Sequence, residues 1–303
     1  MILGRWKLTI QKITWSIAIF LFLSLVFVKG IDKGTATPIS APAIIGYSNS
    51  PSWWPWIIVD EQNLFEKKGI NAKLEWYDSY SDSVRDLNAG LIDGNSQLLE
   101  DTKALDGKVG VLLNTFSDGE DKLIVKSGID KIDDLKGKKI IAESATLSNH
   151  LLSLILSSEE SSISVDDLEI QNLETGVASV AFASDRAIDG VISFPPYSTV
   201  ALSREGSHEL ISSKAFPQQI ARMLVVKQNM VENHPELVEK IIEVWFETLD
   251  FINSHPQIAH QIIARRTGIE IDLLPSFQKQ VRSIDREEAS KFKTLAQSVR
   301  DIH

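Results

Sequence analysis

From Ala43 onward, short apolar runs alternate with segments whose apolar residues recur at helical spacing. AIIGYS reads as a strand, VDEQNLFEKKG as a helix, NAKLEWY as a strand, SDSVRDLNAG as a helix, and LIDGNS and VGVLLNT as two further strands. The rhythm resumes with KKIIA (138–142), a helix over LSNHLLSLILSS, a strand in DLEIQNL, a helix over GVASVAFAS and a strand in IDGVISF. Runs of period 2 alternating with runs of period 3.6 predict strand–helix–strand units, and their restart predicts two similar α/β lobes.

An internal echo supports the second lobe. Ser83-Val84 is followed by Ile92-Asp93-Gly94, and Ser179-Val180 by Ile188-Asp189-Gly190 at the same spacing. The pattern predicts, in both halves, a helix ended by a short turn after which Asp-Gly launches a buried strand. After a strand at ARMLVVK the chain reads as helical to its end, through PELVEKIIEVWFETLDFINS, PQIAHQIIARRTG, IDLLPSFQKQVRS and REEASKFKTLAQSV. Pro235 and Pro256 fall at helix starts, where a missing N–H costs little, and Trp245 lies on an apolar stripe that predicts a core position.

The first 30 residues break this pattern. Arg5, Lys7, Lys12 and Lys29 occur with no acid, and ITWSIAIFLFLSLVFV runs uncharged for 16 residues between the last two bases. A basic start before an apolar core is an export element. At about 1.5 Å per residue the run spans roughly 24 Å, short of a bilayer's ~30 Å core, which favours a cleaved signal. No clear cleavage site follows it, so an uncleaved N-terminal anchor stays open, and in either case the body is expected outside the cytoplasmic membrane. Residues 31–42, IDKGTATPISAP, read as a linker.

Composition narrows the function classes. The 31 Lys and Arg include the four leading bases, so the exported body carries 27 bases against 41 acids, net −14. Nucleic acid and anionic lipid are poor partners for such a surface, and the membrane is expected to matter only through the N-terminal segment. The chain has no Cys, which removes disulfides, a thiol-linked lipid anchor, thiolate nucleophiles and Cys-based metal sites. No GxxxxGK[ST], GxSxG or HExxH occurs. The six His residues, His150, His208, His234, His255, His260 and His303, are scattered. No catalytic residue, metal site or cofactor is expected.

The segment NSPSWWPWIIVDE places Trp53, Trp54 and Trp56 directly after the first predicted strand. The indoles either cover the sheet and staple the next helix, with Pro55 in its first turn, or line a cleft, because in open α/β sheets ligands sit beyond the carboxyl ends of the strands. Other strand ends then supply Trp76-Tyr77-Asp78, Gly94-Asn95-Ser96-Gln97 and Ser117-Asp118-Gly119-Glu120-Asp121 from the first lobe. Glu143 and Phe194-Pro195-Pro196-Tyr197 come from the second. Asp and Asn at such places are also ordinary turn and cap residues. Together they form an aromatic and acidic rim, with Trp53, Trp54, Asp78, Asn95, Ser96, Asp121, Glu143 and Phe194 as the ligand-binding candidates.

GYSNSPSWWPW, LFEKKGINAKLEWYDSYSDSVRDLNAGLIDGNSQ, IDDLKGKKIIAES, IDGVISFPPYSTVAL and NHPELVEKIIEVWFETLDFI resemble, in that order, the nitrate/sulfonate/taurine-type periplasmic solute-binding proteins of ABC importers, over nearly all of 43–275. More narrowly, WWPW with YDSYSDS and DGNSQLLEDT resembles the branch associated with urea-carboxylase or guanidine-carboxylase operons. The resemblance implies the two-lobed periplasmic-binding-protein (Venus-flytrap) fold, two α/β domains joined by crossover strands near 122–127 and 220–227. Lobe I would comprise 43–122 plus 227–303, and lobe II 123–226. It also implies a monomer that closes on a small-molecule solute and delivers it to the transmembrane subunits of an ABC permease from the periplasm, free or tethered to the outer face of the cytoplasmic membrane.

For a guanidinium ligand, a planar cation would stack on Trp53 or Trp54 and donate to Asp78, Asp121 or Glu143. Nitrate or a sulfonate would want Arg, Lys or helix N-termini, and no Arg or Lys occupies the strand ends named above. Nitrate, sulfonate or taurine, bicarbonate and an aminopyrimidine remain alternatives. An enzyme resembling thiamine-pyrimidine synthases is disfavoured, because those use a Cys-rich motif that this chain lacks. A membrane-tethered sensor is a further reading.

Overall fold

A computed structural model describes residues 41–102, 107–143, 147–158 and 161–291. The export element and nearly all of the 31–42 linker lie outside the described residues. Pro38–Ile284 forms one compact unit. The described part of a second unit, 285–291, begins a helix whose start is capped by Asp285 Oδ1, which accepts from Glu288 N at 2.8 Å.

Eleven strands are described: β1 (Ala43–Ser48), β2 (Ala72–Tyr77), β3 (Gly94–Leu98), β4 (Lys108–Ser117), β5 (Lys122–Val125), β6 (Lys139–Ala142), β7 (Glu169–Asn172), β8 (Gly190–Ser193), β9 (His208–Ser212), β10 (Ala221–Lys227) and β11 (Val281–Ser283). They make two mixed sheets, β11-β4-β10-β3-β1-β2 and β7-β6-β8-β5-β9. The core of the first sheet is parallel, β2 and β3 flanking β1, and β10 enters antiparallel between β3 and β4. In the second, β6 pairs parallel with β7 and β8, while β5 runs antiparallel to β8 and β9. The two-lobed α/β architecture expected from the sequence is thus present. The chain passes between sheets twice, over 118–121 from β4 to β5 and over 213–220 from β9 to β10.

The Asp-Gly echo is a structural repeat. Asp93 Oδ2 accepts from Ile44 N at 3.0 Å and its Oδ1 pairs with Lys227 Nζ at 3.0 Å. In the other lobe Asp189 Oδ2 accepts from Lys139 N at 2.8 Å and its Oδ1 pairs with Lys126 Nζ at 2.5 Å. Each Asp thereby ties its own strand to both neighbours. Each following Gly starts a central strand where no side chain fits: a Cβ on Gly94 would stand 2.7 Å from Val225 O, and one on Gly190 2.8 Å from Ile140 Cδ1. Gly94→Ala, pressed against backbone, is therefore expected to cost about 1–3 kcal/mol, read as a lowered urea midpoint at unchanged m-value.

Three boundaries differ from the sequence reading. The helix expected over 59–69 is two, Trp54–Glu61 and Leu64–Lys67, broken at Asn63, whose φ of 50° is left-handed. The 91–96 strand begins only at Gly94 and runs to Leu98, since Gly90 ends the preceding helix with φ 76° and 91–93 turn the chain. Val281–Ser283, expected as helix, instead adds β11 to β4 at the sheet edge, where Ile284 N donates to Asn114 O. Tertiary pairing overrides helical spacing in so short a segment.

Candidate functional site

The Trp loop is built by local capping. After β1, Ser50 Oγ accepts from Ser52 N at 3.2 Å and starts the turn Pro51–Trp53. Pro55 then sits in the first turn of Trp54–Glu61, as Pro can where N–H groups are unpaired anyway. The three indoles part company. Trp56 turns into lobe I, tilted on Trp245 at 4.8 Å between ring centres, with its N–H on Ser96 Oγ at 2.8 Å. Trp53 stacks on Tyr80 at 5.5 Å and 17° between planes. The buried indole N–H groups of Trp53 and Trp54 find no acceptor among the described residues.

Beneath the loop lies a buried charge cluster. Arg222, 1% exposed, donates through Nη2 to both oxygens of Asp121 at 2.8 and 2.9 Å, and its Nη1 lies 3.0 Å from Glu120 Oε2. Glu120 in turn accepts from Ser50 Oγ at 2.6 Å and Ser52 Oγ at 2.5 Å, linking the crossing segment to the Trp loop. Burial is the main reason the Glu120 carboxyl stands above its ordinary value; Arg222 opposes this and Asp121 adds to it. The two crossings are also stitched together: Ser117 and Ser213 hydroxyls lie 2.6 Å apart, and Gly119 N donates to Ser213 Oγ at 2.8 Å. Lys122 closes the stitch by donating to Gly119 O at 2.6 Å and Glu209 at 2.7 Å.

Contacts then run from lobe to lobe. Glu143, at the end of β6, accepts through Oε1 from Ser81 N at 3.2 Å, Ser81 Oγ at 3.0 Å and Ser79 Oγ at 3.5 Å, all in lobe I. Its Oε2 accepts from Thr175 N at 3.2 Å and Thr175 Oγ1 at 2.6 Å in lobe II. His150 Nε2 lies 3.4 Å from Glu100 Oε1. Tyr197, hydrogen-bonded to Asn49 across the same divide, has its hydroxyl pKa pushed up to about 12, first by burial and then by the charges of Glu174, Asp78 and Glu143. Acid therefore converges on Tyr197 from both lobes. Phe194 packs edge-on against the Tyr197 ring at 5.6 Å.

The expected site residues divide accordingly. Glu143 bridges the lobes, and Phe194 packs on Tyr197, which reaches Asn49 of the other lobe, whereas Trp53 and Trp54 are both buried, Trp53 stacked on Tyr80 of its own lobe. Asp78 is exposed and accepts from Trp76 Nε1 at 2.8 Å. Asn95 and Ser96 do not lie beyond a strand end: both are buried inside β3, Asn95 donating to Ser83 Oγ at 3.1 Å and Ser96 accepting from Trp56. The reason is the later start of β3. Asp121 is not a bare acceptor but the salt-bridge partner of Arg222.

No Arg or Lys occupies the strand ends named from the sequence, yet a base reaches the same edge from another strand. β10 runs antiparallel, so its beginning, with Arg222 opposite Leu98, lies at the edge where β1 and β3 end. An antiparallel strand delivers its amino end to the edge where its parallel neighbours end. Tyr80, not singled out in the sequence, is positioned by long-range contacts: its hydroxyl accepts from Leu98 N at 3.1 Å and donates to Asp101. Among the described residues no group of three or more His, Asp or Glu could hold a metal.

Residues 51–259 match a family model described as NMT1/THI5 like. A Brucella abortus relative described as a binding protein is 26% identical over 277 residues, covering 89% of this chain and 84% of the relative. Among solved structures, the alkanesulfonate-binding protein SsuA from Xanthomonas axonopodis pv. citri superposes with a TM-score of 0.72 at 16% identity, over 88% of this chain and 93% of that one. The periplasmic nitrate-binding protein NrtA from Synechocystis reaches 0.64 at 12% identity, over 83% and 75%.

Proposed function

This chain belongs to the NMT1/THI5-like family, and on that premise we propose that it is the extracytoplasmic solute-binding component of an ABC importer, closing two α/β lobes on a small polar cation of the guanidinium type. The carrying observation is the charge of the lobe-to-lobe region. Its buried arginine is already matched by Glu120 and Asp121, and the charges of Glu174, Asp78 and Glu143 all raise the Tyr197 hydroxyl. A cation is attracted to such a surplus and an anion repelled, the more so where water is scarce. Trp53, Trp54 and the Phe194–Tyr197 pair supply aromatic surface for a flat solute. Contacts from both lobes stabilise the closed form, so solute binding drives closure through differential affinity, and the closed form is what a permease recognises.

The names of the sulfonate- and nitrate-binding structural neighbours favour a second reading, an anionic solute delivered by the same route. Isothermal titration of the purified protein at fixed salt with guanidinium, urea, nitrate, taurine and an aminopyrimidine separates the two. Saturable binding of guanidinium at a micromolar or tighter Kd, about 8 kcal/mol, is the expected outcome. Saturable binding of nitrate or taurine instead would replace the cation reading and keep the importer role.

A further inference from the structure

We infer that Asn49, at the carboxyl end of β1, accepts a hydrogen bond from an N–H of the solute and so selects solutes that can donate. The inference rests on the binding-protein reading and concerns the same region. β1 and β2 run parallel as far as the pair Ser48 and Tyr77, and Asn49 is the next residue, at a strand end of the kind where open α/β sheets place their ligands. Its amide is hydrogen-bonded to the Tyr197 hydroxyl of lobe II. Tyr197 in turn lies against the start of Thr175–Ser184, where a Cβ on Gly176 would stand 3.1 Å from the Tyr197 ring and 3.2 Å from Glu174 Oε1. Thr175 of that helix start and Ser81 of lobe I both donate to Glu143. Asn49 therefore points its amide at the place where the lobes meet.

Only half of that amide is used. Burial raises the Tyr197 hydroxyl pKa and the Asn49 contact opposes the rise, so the amide brings its N–H to the hydroxyl oxygen. Asn49 Oδ1, on the same carbon, is buried with no hydrogen-bond partner among the described residues, and the whole residue is 8% exposed. A buried carbonyl left unpaired is costly, and native structures give nearly every such group a partner. An amide oxygen can only accept. The group it suits is therefore a donor, and the charges of Glu174, Asp78 and Glu143, which all raise the neighbouring hydroxyl, favour a positive donor over a neutral one. Ser48 Oγ is buried and unpartnered among the described residues too, but a hydroxyl gives as readily as it takes and does not distinguish donors from acceptors. Guanidinium-type N–H groups fit the Asn49 oxygen, and nitrate, with no hydrogen, does not. A site built round such a bond rejects a solute that cannot make it far more strongly than an apolar pocket would.

The test titrates the full-length wild type and the variants Asn49→Leu, Asn49→Asp and Tyr197→Phe with guanidinium, urea, an aminopyrimidine, nitrate and taurine at fixed salt, with thermal melts to verify folding. Asn49→Leu is expected to weaken binding of guanidinium, or of whichever N–H-bearing solute the wild type takes, by roughly tenfold or more. Asn49→Asp, which keeps acceptor oxygens in the same place, should retain it. Tyr197→Phe removes the contact between the lobes but leaves Asn49 Oδ1, and should lose clearly less than Asn49→Leu. The inference is overturned if folded Asn49→Leu binds as the wild type does, if Asn49→Asp loses as much as Asn49→Leu, or if nitrate is the solute bound. It is overturned equally if Tyr197→Phe loses as much as Asn49→Leu, which would make Asn49 a brace between the lobes alone. Should Asn49→Leu fail to fold, Asn49→Ala takes its place with the same expectation. Failure of the importer reading looks different: none of the five solutes then binds the wild type and this inference falls with it, whereas failure of the inference alone leaves wild-type binding that Asn49→Leu does not change.

Discussion

Arg222→Met is expected to lower the unfolding free energy by about 3–5 kcal/mol, the cost of leaving buried charge without its partner. Asp121 loses its bidentate ion pair and Glu120 loses the 3.0 Å contact, while both carboxyls stay out of water. The pH dependence gives the loss a signature. Glu120 already stands above its ordinary pKa, chiefly through burial, with Arg222 opposing. An acid with a raised folded pKa contributes stability that is full below its unfolded pKa and is lost as pH rises through the folded value. Without the guanidinium that folded value rises further. The deficit of the variant should therefore be larger at pH 7 than at pH 5, measured as urea midpoints of both proteins at the two values. An equal deficit at both pH values, or one below about 1 kcal/mol, would show that the cluster is solvated and that Arg222 does not hold it. Because Glu120 also anchors Ser50 and Ser52, tryptophan emission should shift in the still-folded variant as the loop carrying Trp53 and Trp54 relaxes.

A comparable loss of stability, with no loss of solute affinity in the folded fraction, is expected for Trp56→Ala. Trp56 is fully buried against Trp245 and Phe65 and donates to Ser96. Truncating an aromatic residue in such a core typically costs about 3–5 kcal/mol through lost burial and the cavity left behind. Trp53 is only three residues away in sequence but stacks on Tyr80 instead of Trp245, at the start of the helix whose Ser81 reaches Glu143 of the other lobe. Trp53→Ala should weaken guanidinium binding in protein that remains folded, measured by titration alongside thermal melts. Equal effects of the two substitutions on affinity would erase the division of the loop into core and cleft.

Much of this was legible in the chain. The alternation of periods located β1 to β4, β6 to β8 and β10 and the helices Tyr80–Asn88 and Pro235–Ser254, because one-sided burial imposes its period on the residues themselves, whereas β9 was not located and β5 came only from the family resemblance. The Ile-Asp-Gly echo marked the central strand of each lobe, since a tight strand start needs both a carboxylate to tie neighbouring backbones and a residue without a Cβ. Trp245 read as core from its apolar stripe, and it is fully buried. The fate of each indole in SWWPW was not legible, since a run with three Trp in four positions carries no period.

What only the tertiary structure decided is how the buried charged groups pair. Arg222 and Asp121 are 101 residues apart, and Glu143 reaches Ser81 across 62. Nothing local links such pairs: they meet because β10 returns antiparallel between β3 and β4 and because two helix starts face each other across the lobes. The sequence by itself determined most of the strands and helices, and that there are two lobes, because one-sided burial is written into the spacing of apolar residues. Which carboxylates are already engaged, by Arg222 or by helix starts, is a property of long-range packing, since a charge declares its partner only when the fold removes the water that would otherwise screen it.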